Sequence, residues 1–447
     1  MHNHRKLGRL EQNMEMLNSH AKTWNLVTIS RIKKHLNEED LKQALEIIQY
    51  RHPSLNSRII HSPKGLYFQS DETPKIALRV VKKLDNDQWT EVVNEEFNQE
   101  INSSRGLLRV VLVHILSDEQ ICYLITTVHH AVADGLSSIH LHSEILTYCQ
   151  KIASGELVNQ INSLSPLPPI EELLPEWTKG FRGKISSSLL LLRIAFQKIW
   201  YCPQSLSCED YAPISKRRSN IIHRQLDPEL TQKFVNLCRQ ENATVHSALC
   251  AVLMFTVARK IIKGNSNKIP VSCLSYIDLR RRLEPAISEE HMTVLAASMI
   301  GFHTIKTNTS FWELARQVKQ KLEVGIKHGD IFKMILIVKQ LIDFCFISPK
   351  EVVATVSVSN SGKVKIPKTY GEFELEEISF AGSHALYANV FIIHTSTFRE
   401  KMLLNFVYSQ PSISRHTMEE LVNNVMSCIF ELCTLNLDIS FLSWMQS

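Results

Sequence analysis

Two adjacent histidines, His129 and His130, stand just ahead of an Asp-Gly pair, Asp134 and Gly135, in the stretch VHHAVADGLSS (128–138). An imidazole titrates near pH 6.5, so either ring can take up and return a proton at neutral pH, and a nearby carboxylate can orient it. Taken singly, each residue has a plain structural use: Asp134 as the N-cap of a following helix, Gly135 as a relaxed turn residue, the histidines as satisfied core or edge residues. The combination arises by chance only about once in a thousand chains of this length, so it points to chemistry.

Several chemistries are open to such residues. Adjacent histidines at a strand end face opposite sides of the sheet, which disfavours both converging on one metal ion. A serine-hydrolase reading lacks its nucleophile elbow, since no G-x-S-x-G occurs in the chain. Opposed faces suit a division of labour, with one histidine in a cleft as a general base and its neighbour structural.

The elements that must position these residues follow from periodicity. Apolar runs at 107–116 and 121–128 flank a short polar SDEQ and predict a β-hairpin with strands buried on both faces. After the motif, Leu136, Ile139, Leu146 and Cys149 keep helical spacing, so the histidines sit at a strand-to-helix corner. Upstream, Leu41, Ala44, Leu45 and Ile48 mark a helix capped by Asn37 and stopped by Pro53; a strand at 75–81 and a helix at 87–101 follow. Four prolines within 162–177 predict a crossover between two halves. In the second half, helices are predicted at 227–238, 244–261 and 415–432, and strands at 268–279, 351–362, 386–398 and 401–409.

The 447-residue length exceeds one ordinary core and predicts two lobes. The net charge of +5 is small and forms no long basic tract, which argues against a nucleic-acid partner; the short clusters SKRRS (215–219) and DLRRRLE (278–284) read as solvated faces or local sites. Ten scattered cysteines without C-x-x-C read as reduced thiols of a cytoplasmic protein. The polar start, with His2 and His4, reads as a free terminus without a secretory signal. The apolar segment 185–201 is too short and too interrupted, by Arg193 and Lys198, to span a membrane; it reads as an amphipathic helix packed on the protein or covering an apolar ligand.

HHAVADG resembles the H-H-x-x-x-D-G signature of the condensation-domain and CoA-dependent acyltransferase superfamily. RHPSLNSRI (51–59), IDLRRRL (277–283), MIGFHT (299–304) and VSVSNSGKV (356–364) resemble further family segments, in the family's order. The last two are most similar to the phthiocerol/phthiodiolone dimycocerosyl transferase-like and alcohol acetyltransferase-like branch. The resemblance runs from about residue 7 to 430.

It implies an α/β fold of mixed sheets: two chloramphenicol acetyltransferase-like lobes in a V with the active-site tunnel between them. The expected organisation is a first lobe at 1–161, a crossover with the amphipathic segment at 162–214, and a second lobe at 215–447. The resemblance makes His130 the general base, His129 structural, and Asp134 an orienting residue salt-bridged to Arg280, with Arg281 or Arg282 as substitutes. It implies acyl transfer from a CoA or carrier-protein thioester to an alcohol or amine, the donor being a substrate and no bound cofactor being needed. No acyl-enzyme is required, and the oxyanion would be met by the Gly135 backbone N–H or the Asn360 side chain. His303 stands where relatives often carry a small or amide residue beside the cleft, which bears on acceptor recognition. A free-standing condensation domain forming an amide and a non-catalytic carrier-protein-binding homologue are the alternatives.

Overall fold

The computed structural model describes residues 4–443 apart from 157, 159, 263–266, 348–352, 436–438 and 442. Two six-stranded mixed sheets, each backed by helices, form two lobes. In the first sheet the strands run in the order Thr369–Tyr370, Phe373–Gly382, Asn25–Lys33, Ile121–His129, Leu108–Ile115 and Ala77–Lys83. In the second the order is Ala296–Lys306, Lys268–Asp278, Val356–Lys363, Phe391–Phe398, Lys401–Gln410 and Arg218–Leu226.

The predicted hairpin is present, Leu108–Ile115 pairing antiparallel with Ile121–His129. The second of these strands is buried along its whole length, as its largely apolar and β-branched sequence suits a central strand covered on both faces. The helix Gly135–Ala153 follows directly. In the helix Glu38–Arg51 the Asn37 side chain accepts from the Glu39 and Asp40 N–H groups, and in Pro228–Gln240 Asp227 accepts from Leu230 N–H, so both predicted caps form. The apolar helix Val245–Ile261 is the central helix of the second lobe, buried from Ser247 through Ala258.

Three expectations need correction. The strand Phe373–Gly382 belongs by sequence to the second half, yet it pairs antiparallel with Asn25–Lys33 and extends the first sheet. The sheet of the first lobe is therefore not closed by residue 161. The strand expected at 386–398 begins only at Phe391, because 383–390 forms a loop whose Ser383 N–H donates to Asn25 O (2.8 Å). The amino-terminal end is not free: His4–Lys6 pairs with the strand Gly65–Gln69. His2, and residues 351–352 of the strand expected at 351–362, lie outside the described residues.

The lobes share apolar packing. One cluster joins Val27, Val111 and Ile125 of the first sheet to Ile221, Ile392 and Val407 of the second, with Trp89 and Phe97 between them. Among the described residues no single helix is long and apolar enough to cross a membrane.

Candidate active site

The strand-to-helix corner separates the two histidines. His129 ends its strand fully buried, its Nδ1 accepting the Ala131 N–H (3.1 Å) and its Nε2 lying 3.0 Å from Glu15 Oε2 of the helix Arg9–Ala21. Ser103 Oγ donates to the other Glu15 oxygen (2.8 Å). These contacts anchor the corner inside the first lobe.

His130, one residue on, turns the other way and lines a cavity of about 180 Å³ between the lobes. Its ring lies 6.3 Å from the Trp24 ring at an interplanar angle of 27°. Enclosure by protein lowers the imidazole pKa below its ordinary value; nearby carbonyls of His130 and Ala133 and the Asp134 charge oppose that shift without cancelling it. The ring is thus the neutral, proton-accepting form at pH 7.

Asp134 is the N-cap of the helix Gly135–Ala153 and makes no hydrogen bond to His130. Its Oδ1 accepts from Ser137 N–H (3.0 Å) and Arg280 Nη2 (2.9 Å), and its Oδ2 from Arg280 Nη1 (2.9 Å) and Leu295 N–H (2.9 Å). Burial alone would raise the carboxyl pKa, but the Arg280 charge and these donors outweigh it and hold the pKa below the usual range. Arg280 is itself only 1% exposed and also donates to Asp278 Oδ1 (2.8 Å). The bidentate pair fastens the corner of the first lobe to the turn after Lys268–Asp278 in the second. Arg281 instead faces solvent near Glu289, and Arg282 donates to Asp278 O.

Gly135 lines the cavity at the first turn of the helix. A Cβ there would meet Phe380 Cε2 at 2.6 Å, so the residue is small because the crossing strand presses on it. Its N–H belongs to the helix's first turn, whose amides have no intrahelical acceptor.

The other sequence candidates fall elsewhere. Asn360 is not among the cavity-lining residues; its Oδ1 accepts the Gly362 N–H (2.7 Å) at a bulge, while the preceding Ser359 does line the cavity. His303 is buried outside the cavity, towards Lys321, and burial together with that charge lowers its pKa to about 3. The RHP segment acts at one remove: Arg51 Nε (3.2 Å) and His52 Nε2 (2.5 Å) hold Glu144 of the motif helix.

Two further histidines, His384 and His394, share the cavity with His130. His394 Nε2 accepts the Gly382 N–H (3.3 Å), and burial with the neighbouring His384 and His130 lowers its pKa to about 3. Nothing around His394 resembles a motif; its only signal is a histidine directly after the apolar run VFII (390–393). The remaining wall is mostly apolar, with Leu10, Met14 and Leu17 from the first lobe and Met334, Ile335, Val338 and Ile342 from the helix Asp330–Ile347. Among the described residues no three His, Cys, Asp or Glu side chains are grouped so as to hold a metal ion.

Comparison with known proteins agrees in both lobes. A condensation-domain family model matches residues 12–164, and the model for the phthiocerol/phthiodiolone dimycocerosyl transferase C-terminus matches residues 215–407. A probable alcohol acetyltransferase of Fusarium pseudograminearum is 23% identical over 291 residues, covering 59% of this chain; the match spans 58% of that relative's length. Polyketide synthase associated protein 5 from Mycobacterium tuberculosis has a similar fold, with a TM-score of 0.67 at 16% identity over 97% of this chain and 99% of the other. The trichothecene 15-O-acetyltransferase of Fusarium sporotrichioides gives a TM-score of 0.75 at 11% identity, covering 95% of each chain.

Proposed function

Because the chain belongs to the condensation-domain and acyltransferase superfamily, we propose that it moves an acyl group from a CoA or carrier-protein thioester to an alcohol or amine, with His130 as the general base. One observation carries this reading: His130 lines the cavity between the lobes, enclosed so that its pKa is lowered, while Asp134 and His129 are engaged elsewhere. The chemistry follows from that arrangement. The acceptor hydroxyl or amine gives its proton to His130 as its lone pair attacks the thioester carbonyl. The tetrahedral intermediate collapses by breaking the carbon–sulfur bond, and His130 returns the proton to the leaving thiolate. The Gly135 N–H, at the positive end of its helix, is the oxyanion donor this geometry favours. The apolar wall suits a hydrophobic acyl chain or acceptor.

The test is His130→Ala, assayed by mass spectrometry of products from a mixed panel of acyl-CoAs, carrier-bound thioesters, alcohols and amines. Turnover is expected to fall by about 10²- to 10⁴-fold with the thermal midpoint nearly unchanged. Full turnover by the variant with a verified donor would remove His130 from the mechanism.

A further inference from the structure

The helix Gly180–Tyr201 packs one side against the molecule through Gly183, Ser187, Leu190 and Ile194, the last two touching Met334 and Ile337 of the cavity helix Asp330–Ile347. Its opposite side is apolar and open. Phe181, Ile185, Leu189, Leu192, Phe196 and Ile199 are all exposed, Phe181 by 78% and Ile199 by 79%, and Trp200 beside them by 75%. At about 100° per residue these seven side chains fall within an arc of about 100°. Such a stripe, about 29 Å long at 1.5 Å per residue, exceeds the scattered apolar surface of ordinary soluble proteins.

Charge selects its occupant. The helix carries Arg182, Lys184, Arg193 and Lys198 and no Asp or Glu. On the same wheel Arg182 and Arg193 border one side of the stripe and Lys184 lies off the other, while Lys198 turns towards the packed side. Arg193 pairs with Asp330 (2.5 Å) and Lys198 lies 4.7 Å from the Phe344 ring centroid, so both are held in place by the neighbouring helix. Arg182 and Lys184 are exposed. A second copy packed parallel on this face would set Arg182 and Lys184 against their own counterparts, and one packed antiparallel would offer them no acidic partner, since the helix carries none. An anionic bilayer satisfies both features, the apolar ridge entering the acyl boundary and the exposed Arg182 and Lys184 reaching phosphate.

We propose that the helix Gly180–Tyr201 docks this protein onto an anionic lipid surface, lying in the interface without crossing it. The docking stands apart from the acyl-transfer reading, since vesicle binding is scored directly and turnover serves only as a control.

The test is co-sedimentation of the full chain with phosphatidylglycerol–phosphatidylcholine vesicles and with phosphatidylcholine vesicles, each at low and high salt. Binding is expected to be about tenfold or more stronger to the anionic vesicles and to weaken as salt screens the cations. Leu192→Asp with Phe196→Asp, and separately Arg182→Glu with Lys184→Glu, should each reduce it about tenfold at unchanged thermal midpoint and unchanged turnover on a water-soluble acceptor. Brominated lipid should quench part of the tryptophan fluorescence, and Trp200→Phe should remove that part. Equal weak binding to both vesicle types, or binding that neither double variant alters, would overturn the proposal. So would vesicle-independent dimerisation, or carrier-protein binding, abolished by either double variant when anionic vesicles are not bound.

Discussion

The Asp134 carboxylate caps its own helix through Oδ1 and binds Arg280 of the second lobe through both oxygens, so its loss loosens both. Asp134→Asn leaves the buried Arg280 guanidinium with only the half-buried Asp278 as countercharge. Leaving a buried charge wholly unpaired costs about 3–5 kcal/mol, so with Asp278 still in place urea unfolding should show a loss below that order together with lost turnover. His130→Ala removes turnover alone, and the contrast between the two variants separates base from anchor. The pH dependence has a definite sign: the His130 pKa is lowered, so kcat/KM should be level at neutral pH and fall only with a midpoint below about 6.5, the ordinary imidazole value. A midpoint above that value would contradict a buried neutral base. His130, Asp134 and Arg280 were legible in sequence because they sit in short fixed-spacing motifs. His384 and His394 were not: His384 reaches the cavity on the loop 383–390, fixed by remote partners including Arg217 Nη1 donating to Ala385 O (3.1 Å), and His394 sits in the strand Phe391–Phe398 outside any fixed-spacing motif.

At the level of elements, the motif helix is held from three directions: by Arg51 and His52 through Glu144, by Arg280 through its cap, and by the crossing strands, from which Tyr370 Oη donates to Ser143 Oγ (2.8 Å). Gly135→Ala would drive a methyl into the Phe380 ring, at a cost of about 1–3 kcal/mol. Phe380→Leu in the same chain should recover part of that loss in thermal unfolding; no recovery would mean the glycine serves its backbone and not this contact. The hairpin, the capped helices and the buried helix Val245–Ile261 follow from local apolar period and cap chemistry. The strand Phe373–Gly382 does not, since its alternation, FELEEISFAG, says nothing of which sheet it joins. Partner choice there depends on residues about 350 positions away, a separation no local pattern encodes.

Across the whole molecule, buried neutral histidines set the response to acid. His142, His303 and His394 have pKa values lowered to about 3, and His246 and His384 to about 4, each mainly by burial. The unfolded chain binds protons at these sites near pH 6.5 while the folded chain does not, so stability is full above that pH and is lost as pH falls below it. The depressed Asp134 pKa acts further down, its contribution present above about pH 3.9 and lost as pH falls through the lower folded value. Thermal midpoints measured from pH 8 to pH 4 should therefore drop steeply below about 6.5; a flat profile would mean these rings are solvated.

The exchange of Phe373–Gly382 into the first sheet also bears on how the chain is made. Ile29 pairs with Ser379, so the edge of Asn25–Lys33 waits for a partner synthesised 350 residues later. At about 5–20 residues per second that interval is roughly 20–70 s. During it the nascent first lobe presents an unpaired strand edge, so a ribosome-bound chain halted before residue 373 should need a chaperone to stay soluble, and the sheet bearing His130 is completed only once residue 382 has been made.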